Sequence, residues 1–294
     1  MILPKVYNKL RKSKLSNFFP KDFIKYLKEI YIINKNRNTR LVEEIKEISK
    51  ILETNNIEYV FLKGSAMLVG EFYDDIGERM IGDIDFLIKE SEGEKVRQIF
   101  IKYGYKGLKS YWPKDFRHLP RMVNDKKLFA IEAHTKLIDE NKVFNPSEFL
   151  AKKTRYNNFY IPCKKNLLLH NIFNHQLNDF GYRELTYNYR NLIDTNILSN
   201  YYKIKREDIL NNKYLKNYYY VMQRLSIGNE KDVFKNLSLI NKFLFKIKFN
   251  SKILFKIHLF NLKILKRINT TFRQLNLILN YKEYRQFVKK KIGL

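Results

Sequence analysis

Apolar residues recur along this chain with two periods, and the predicted element changes where the period changes. Leu41, Val42, Ile45, Ile48 and Leu52 return at helical spacing, which predicts a helix over 39–53 closed by Asn55-Asn56. Residues 57–62 read as a buried strand, Lys63-Gly64-Ser65 as a turn, and 66–73 as a short helix. A polar loop around Gly77 leads into a second strand over 81–88. Ser91-Glu92-Gly93-Glu94 has the form of a capping box, starting a helix through Val96, Ile99 and Phe100 that stops at Gly104. Residues 126–137 contain a third strand, with Leu128, Ala130, Glu132 and His134 on one face and Phe129, Ile131 and Ala133 on the other.

Helix and strand thus alternate over 39–137, the signature of an α/β layer arrangement. After Asn145-Pro146-Ser147 the pattern is largely helical, and residues 1–36 read as short basic helices. The expected organisation is an N-terminal helical arm over 1–36, an α/β (α+β) core over 37–145 and a mostly helical, strongly basic domain over 146–294.

Composition narrows the class. Of the 294 residues, 45% are hydrophobic, enough for a sizeable core. The single cysteine, Cys163, excludes an intramolecular disulfide framework and a Cys-based zinc site. Residues 1–20 lack the apolar run of a signal peptide, and no uncharged stretch is long enough to span a bilayer. The expected location is cytoplasmic, with a membrane-peripheral position as the alternative. The net charge of +27 would attract polyanions, but Lys, Asn, Ile, Tyr and Phe are all abundant, as AT-biased coding would also produce. The charge is uneven: from Tyr201 to Leu294, 22 Lys and Arg stand against 5 Asp and Glu.

The carboxylates concentrate in the first half, and two of them carry the chemistry. In Asp83-Ile84-Asp85 the acids lie two apart, so a strand points both to one face. Adjacent carboxylates repel and are costly to desolvate, and a divalent cation offsets both effects. Mg²⁺ prefers one or two carboxylates together with phosphate oxygens, which points to nucleotide-phosphate chemistry. Glu132, on a neighbouring strand, would serve as a third ligand or take a proton from an acceptor hydroxyl; otherwise it is a solvated edge residue. Gly64-Ser65 opens a helix after a strand, either as a phosphate-binding turn with Lys63 beside it or as an ordinary tight turn. Arg79 either reaches a triphosphate bidentately or pairs with Asp75 or Glu78. His134 shares the face of Glu132 and would orient substrate or serve as a structural histidine. His170 and His175 are five apart, unlike paired helix ligands, and read as helix packing or the rim of an acceptor cleft.

Taken in order, Lys63-Gly64-Ser65-Ala66, Arg79, Asp83-Ile84-Asp85 and Glu132-Ala133-His134 resemble the nucleotidyltransferase fold superfamily. More narrowly they resemble the bacterial "uncharacterised nucleotidyltransferase" group, whose His-Leu-Pro element is matched by His118-Leu119-Pro120. His170, His175 and Asp194 match that group's later helical segment. The commoner superfamily turn places an apolar residue before the glycine, where this chain has Lys63. The resemblance spans roughly 39–195. It implies a small mixed sheet and two Mg²⁺ (or Mn²⁺) ions held by Asp83 and Asp85, with Glu132 as third acid and an NTP as co-substrate. Lys63, Gly64, Ser65, Arg79 and His134 would contact the nucleotide. The acceptor is left open among a small molecule, a glycan precursor, a protein and an RNA. Two other readings of the same site are a noncatalytic nucleotide-binding protein and a phosphotransferase.

Over 239–268 apolar residues interleave with Lys242, Lys246, Lys248, Lys252, Lys256, Lys263, Lys266 and Arg267, which fall within about 160° of a helical wheel. Such a face suits an anionic membrane surface or RNA, or it is the solvated side of helices packed on the core.

Overall fold

A computed structural model describes residues 2–107, 117–138, 144–225 and 239–291. Helix α1 (Leu3–Lys12) packs on α2 (Lys21–Thr54), a single helix of 34 residues. The short helices expected before residue 36 are therefore replaced, from Lys21 onward, by the first half of α2. Burial explains the continuity. Leu27, Tyr31, Leu41, Ile45, Ile48 and Leu52 line its inner side, and between them the amides of Asn34 and Asn38 are buried too. Asn34 Nδ2 donates to the carbonyls of Gly77 and Arg79, and Asn38 Nδ2 to those of Ile76 and Arg79. These polar positions interrupt the hydrophobic stripe in the sequence but anchor the 75–79 loop in the fold.

The central sheet holds β1 (Tyr59–Phe61), β2 (Asp83–Ile88), β3 (Lys106–Gly107), β4 (Met122–Val123) and β5 (Ala130–His134), in the order β1-β2-β5-β4-β3. Its centre is the parallel pair β2/β5, and every other neighbour is antiparallel. The sheet is thus mixed. Parallel pairing requires a crossover, which α4 (Gly93–Lys102) supplies. The capping box does not form: a 3₁₀ turn over Glu90–Glu92 precedes α4, whose N-cap is Glu92 with no side-chain bond. The expected stop does occur. Gly104 adopts φ +84°, and Tyr105 N–H returns to Phe100 O, closing the helix end.

Helix α3 (Lys63–Val69) starts three residues earlier than its apolar pattern suggests, so Lys63-Gly64-Ser65 is its first turn. Beyond α5 (Pro146–Ala151) a hairpin, β6 (Lys153–Tyr156) and β7 (Phe159–Pro162), interrupts the helical half. Its Tyr160 and Phe159 rings meet Tyr59 and Phe61 at 5.6 and 6.2 Å. Helices α6 (Lys164–Phe173), α7 (Gly181–Glu184), α8 (Tyr189–Ser199), α9 (Arg206–Asn211) and α10 (Lys213–Arg224) follow, with one π-helical turn at Asn174–Asn178. A single buried cluster runs from Ile84 and Phe86 through Leu168 and Leu192 to Tyr218 and Phe245. Phe245 belongs to α11 (Leu239–Asn250), which leads to α12 (Lys252–Asn280) and α13 (Lys282–Lys291).

Candidate active site

The site follows from the register of β2 on β5. Asp83 pairs with Ala130, Asp85 with Glu132 and Leu87 with His134. Paired residues of neighbouring strands share a face, and the period of two puts Asp83, Asp85, Glu132 and His134 on the same one. Ala130, the smallest of the set, leaves room opposite Asp83. The ligating atoms of Asp85, Glu132 and His134 all lie within 4.8 Å of one another. Asp83 stands one pleat earlier, half-exposed, with Arg121 Nη2 at 3.9 Å from its Oδ2.

Each group's charge state has a definite cause. Burial opposes ionisation of Asp85, but Lys63 and His134 outweigh it and hold this carboxyl well below the usual range. Lys63 Nζ donates to Asp85 Oδ1 at 2.6 Å, and His134 Nε2 lies 2.8 Å from the same oxygen. Burial, with Lys63 nearby, brings His134 down to about 3, so its imidazole is neutral. With Asp85 ionised, Nε2 carries the proton between them, and the buried Nδ1 is left with no partner. Glu132 Oε2 sits 3.9 Å from His134 Nε2. Asp83 is pushed up to about 6, first by burial and then by repulsion from Asp85 and Glu132.

The turn after β1 is built around the same carboxylate. Lys63 has φ +48°, a left-handed conformation that costs a β-carbon residue about 1–2 kcal/mol. From there its ammonium reaches Asp85 and stands 3.4 Å from His134 Nε2. Ser65 is fully buried, and its Oγ accepts from Asp85 N–H at 3.3 Å, tying α3 to β2. Gly64 has a steric reason: a β-carbon there would stand 2.5 Å from Arg79 Nη1.

Arg79 is buried and pairs with neither Asp75 nor Glu78. Its Nε and Nη2 donate to the Asp194 carboxylate at 3.1 and 2.7 Å, and Tyr73 Oη donates to the same group. This pair spans 115 positions, joining the loop before β2 to α8 in the helical half. No local signal in the sequence names Asp194 as the partner of Arg79, nor Tyr73 as the third member.

The histidines separate by surroundings. His118 forms an antiparallel bridge to His134, with the two rings 5.2 Å apart. His175 donates from Nε2 to Thr186 O and packs so tightly on Gly181 that a β-carbon there would lie 2.7 Å from that nitrogen. His170 is buried between Phe144 and Phe149, and its Nε2 has no hydrogen-bond partner. Burial and then Lys63 bring its pKa down to about 3. It lines a polar recess of about 70 Å³ together with Lys63, Arg79, Asn171, Arg190 and Asp194. Lys63 is common to this recess and the carboxylate cluster.

None of the curated proteins matches the chain. Six solved chains do. Among them is the crystal structure of lincosamide antibiotic adenylyltransferase LnuA, lincomycin-bound, at 19% identity and a TM-score of 0.39. That likeness covers 53% of this chain and 95% of the other. Residues 1–216 match the family described as "Uncharacterised nucleotidyltransferase", whose members are transferases of nucleotidyl groups. On that match, which takes in the sheet, α2 and the helices up to the first turn of α10, the chain belongs to the uncharacterised nucleotidyltransferase family.

Proposed function

We propose that the protein transfers a nucleoside monophosphate from an NTP to an acceptor hydroxyl, releasing pyrophosphate, with Asp83, Asp85 and Glu132 holding Mg²⁺. The observation that carries this reading is the parallel β2/β5 register, which sets three carboxylates on one face. The donor set fits a divalent cation. Asp83 is pushed up by burial and then by its acidic neighbours, Asp85 draws in Lys63 as a counter-charge, and oxygen donors dominate the cluster. The imidazole of His134 in the same group makes Mn²⁺ an acceptable substitute. When bound, such a cation neutralises triphosphate charge and stabilises the leaving pyrophosphate.

The chain's own groups do the rest. Lys63 would exchange Asp85 for a phosphate oxygen, with the backbone N–H groups of Gly64 and Ser65 beside it. Arg79 is committed to Asp194 and shapes the turn from behind Gly64. The acceptor lies against the recess where neutral His170 presents an unpaired nitrogen. Its oxygen forms a bond to the α-phosphorus as the bond to the pyrophosphate oxygen breaks, and its proton passes to Glu132.

Product analysis tests the proposal. The protein is incubated with each labelled NTP, Mg²⁺ and candidate acceptors. Pyrophosphate with a labelled adduct, lost in Asp83→Asn and Asp85→Asn, supports nucleotidyl transfer. NDP as product would replace this reading with phosphoryl transfer. Nucleotide bound without turnover would replace it with a noncatalytic binding role.

A further inference from the structure

Helix α12 exposes a face that nothing else in the described structure covers. Over its 29 residues it carries six Lys and Arg and no Asp or Glu. One side packs inward: Phe255 joins the core, His258 lies near Arg183 O, Lys266 sits over the Phe180 ring at 4.1 Å, and Leu277 is buried. Ten large apolar residues instead face solvent: Ile253, Leu254, Ile257, Phe260, Ile264, Leu265, Ile268, Phe272, Leu275 and Leu279. Phe272 is 67% exposed and Leu279 74%. At 3.6 residues per turn these ten fall within about 140° of the helix circumference. Lys252, Lys256, Lys263 and Arg267, all exposed, form a narrow row along one edge of that stripe. The stripe runs the full helix, about 43 Å.

We infer that α12 lies in the plane of an anionic lipid bilayer surface, its apolar stripe among the acyl chains and its cationic row against the headgroups. Three features select this occupant. The stripe is mostly aliphatic, which suits acyl chains and not the base stacking that single-stranded RNA would need. The absence of acids makes a second copy of this helix a poor cover, because two cationic rows would meet with nothing to pair them. An apolar face bounded by Lys and Arg is the arrangement of helices that lie in the interface. No described helix is long and apolar enough to cross a membrane, so the contact is one of surface docking.

Flotation of the full chain with vesicles tests the inference. The vesicles are phosphatidylcholine alone, or phosphatidylcholine with about one third phosphatidylglycerol. The protein should float with the anionic vesicles, and with pure phosphatidylcholine at least about tenfold less. Changing Ile257, Phe260, Ile264 and Ile268 together to Gln should reduce anionic-vesicle binding more than about tenfold, with unchanged circular dichroism. Lys256→Gln with Lys263→Gln and Arg267→Gln should lower it less, and added salt should act in the same direction. Failure of the wild type to float would overturn the inference. So would undiminished binding by the four-Gln variant, which leaves charge as the sole cause. Concentration-dependent dimerisation abolished by the same four changes, without vesicle binding, would assign the stripe to a second copy. RNA binding lost in that variant, without flotation, would assign it to RNA.

Discussion

The β2/β5 face and the outer face of α12 are built on opposite rules. On the first, acids crowd together, and the buried charges are paired: Asp85 with Lys63 and a hydrogen bond from neutral His134, and behind them Arg79 with Asp194. On the second, cations stand in solvent with no acid on the helix, next to apolar side chains that have no cover. Charge in the first region is desolvated, so each pairing there is expensive to break. Charge in the second is screened and adjustable. The contrast shows why a net charge of +27 says little by itself about the chemistry, which depends on a local excess of carboxylates.

The contrast breaks most visibly in turnover. Asp85→Asn should lower NMP transfer by about a thousandfold or more, read as pyrophosphate release, with the circular dichroism spectrum retained. The four-Gln variant of α12 should leave transfer to a soluble acceptor unchanged. Equal losses in both would mean the two faces are not separate devices.

Next in size is the seam between the halves. Arg79→Met leaves the Asp194 carboxylate buried and unpaired, at a cost of about 3–5 kcal/mol in urea unfolding. Arg79→Met with Asp194→Leu should recover part of that loss, since Tyr73 then keeps only an unpaired hydroxyl. On the exposed row, Lys263→Gln should change stability by less than about 0.5 kcal/mol.

Metal addition sharpens the comparison further. Mg²⁺ at about a hundred times its dissociation constant should stabilise the wild type by about 2.7 kcal/mol in thermal melts. It should do little for Asp83→Asn combined with Asp85→Asn.

The most gradual effect is in pH, because it is spread over several units. His170 falls from its ordinary value to about 3, so the stability of its neutral form is complete above about pH 6.5 and is lost as pH falls toward 3. Its share of the slope is at most about 1.4 kcal/mol per pH unit. His170→Leu should flatten the acid limb of the stability curve by that amount.

The alternation of helix and strand across 39–137 was readable because each element there has a buried face with its own period, as Ile45 and Ile48 or Phe129 and Ile131 show. Most of the elements that escaped lack such a face. Strands β3 and β4 are two residues long, and β6 is mostly exposed. Helix α2 hid its continuity behind buried amides, because Asn34 and Asn38 look like loop residues until the carbonyls of 76–79 are known. Of the candidate site, the shared face of Asp83 and Asp85, and of Glu132 and His134, follows from strand geometry alone. The join between those two pairs depends on the parallel register, which no local pattern encodes. Long-range partners such as Lys63 with Asp85 and Arg79 with Asp194 depend on packing in the same way.

That register also says how the site should fail. Many sites sit on loops that open well before the protein melts. Here Asp85 and Glu132 hang from the two central strands, flanked by Ile84, Phe86 and Ile131 in the core. Their backbone amides should therefore exchange with deuterium only through global opening. Heat inactivation should coincide with the melting of the sheet, so the protein's working lifetime at a given temperature is set by the stability of its core.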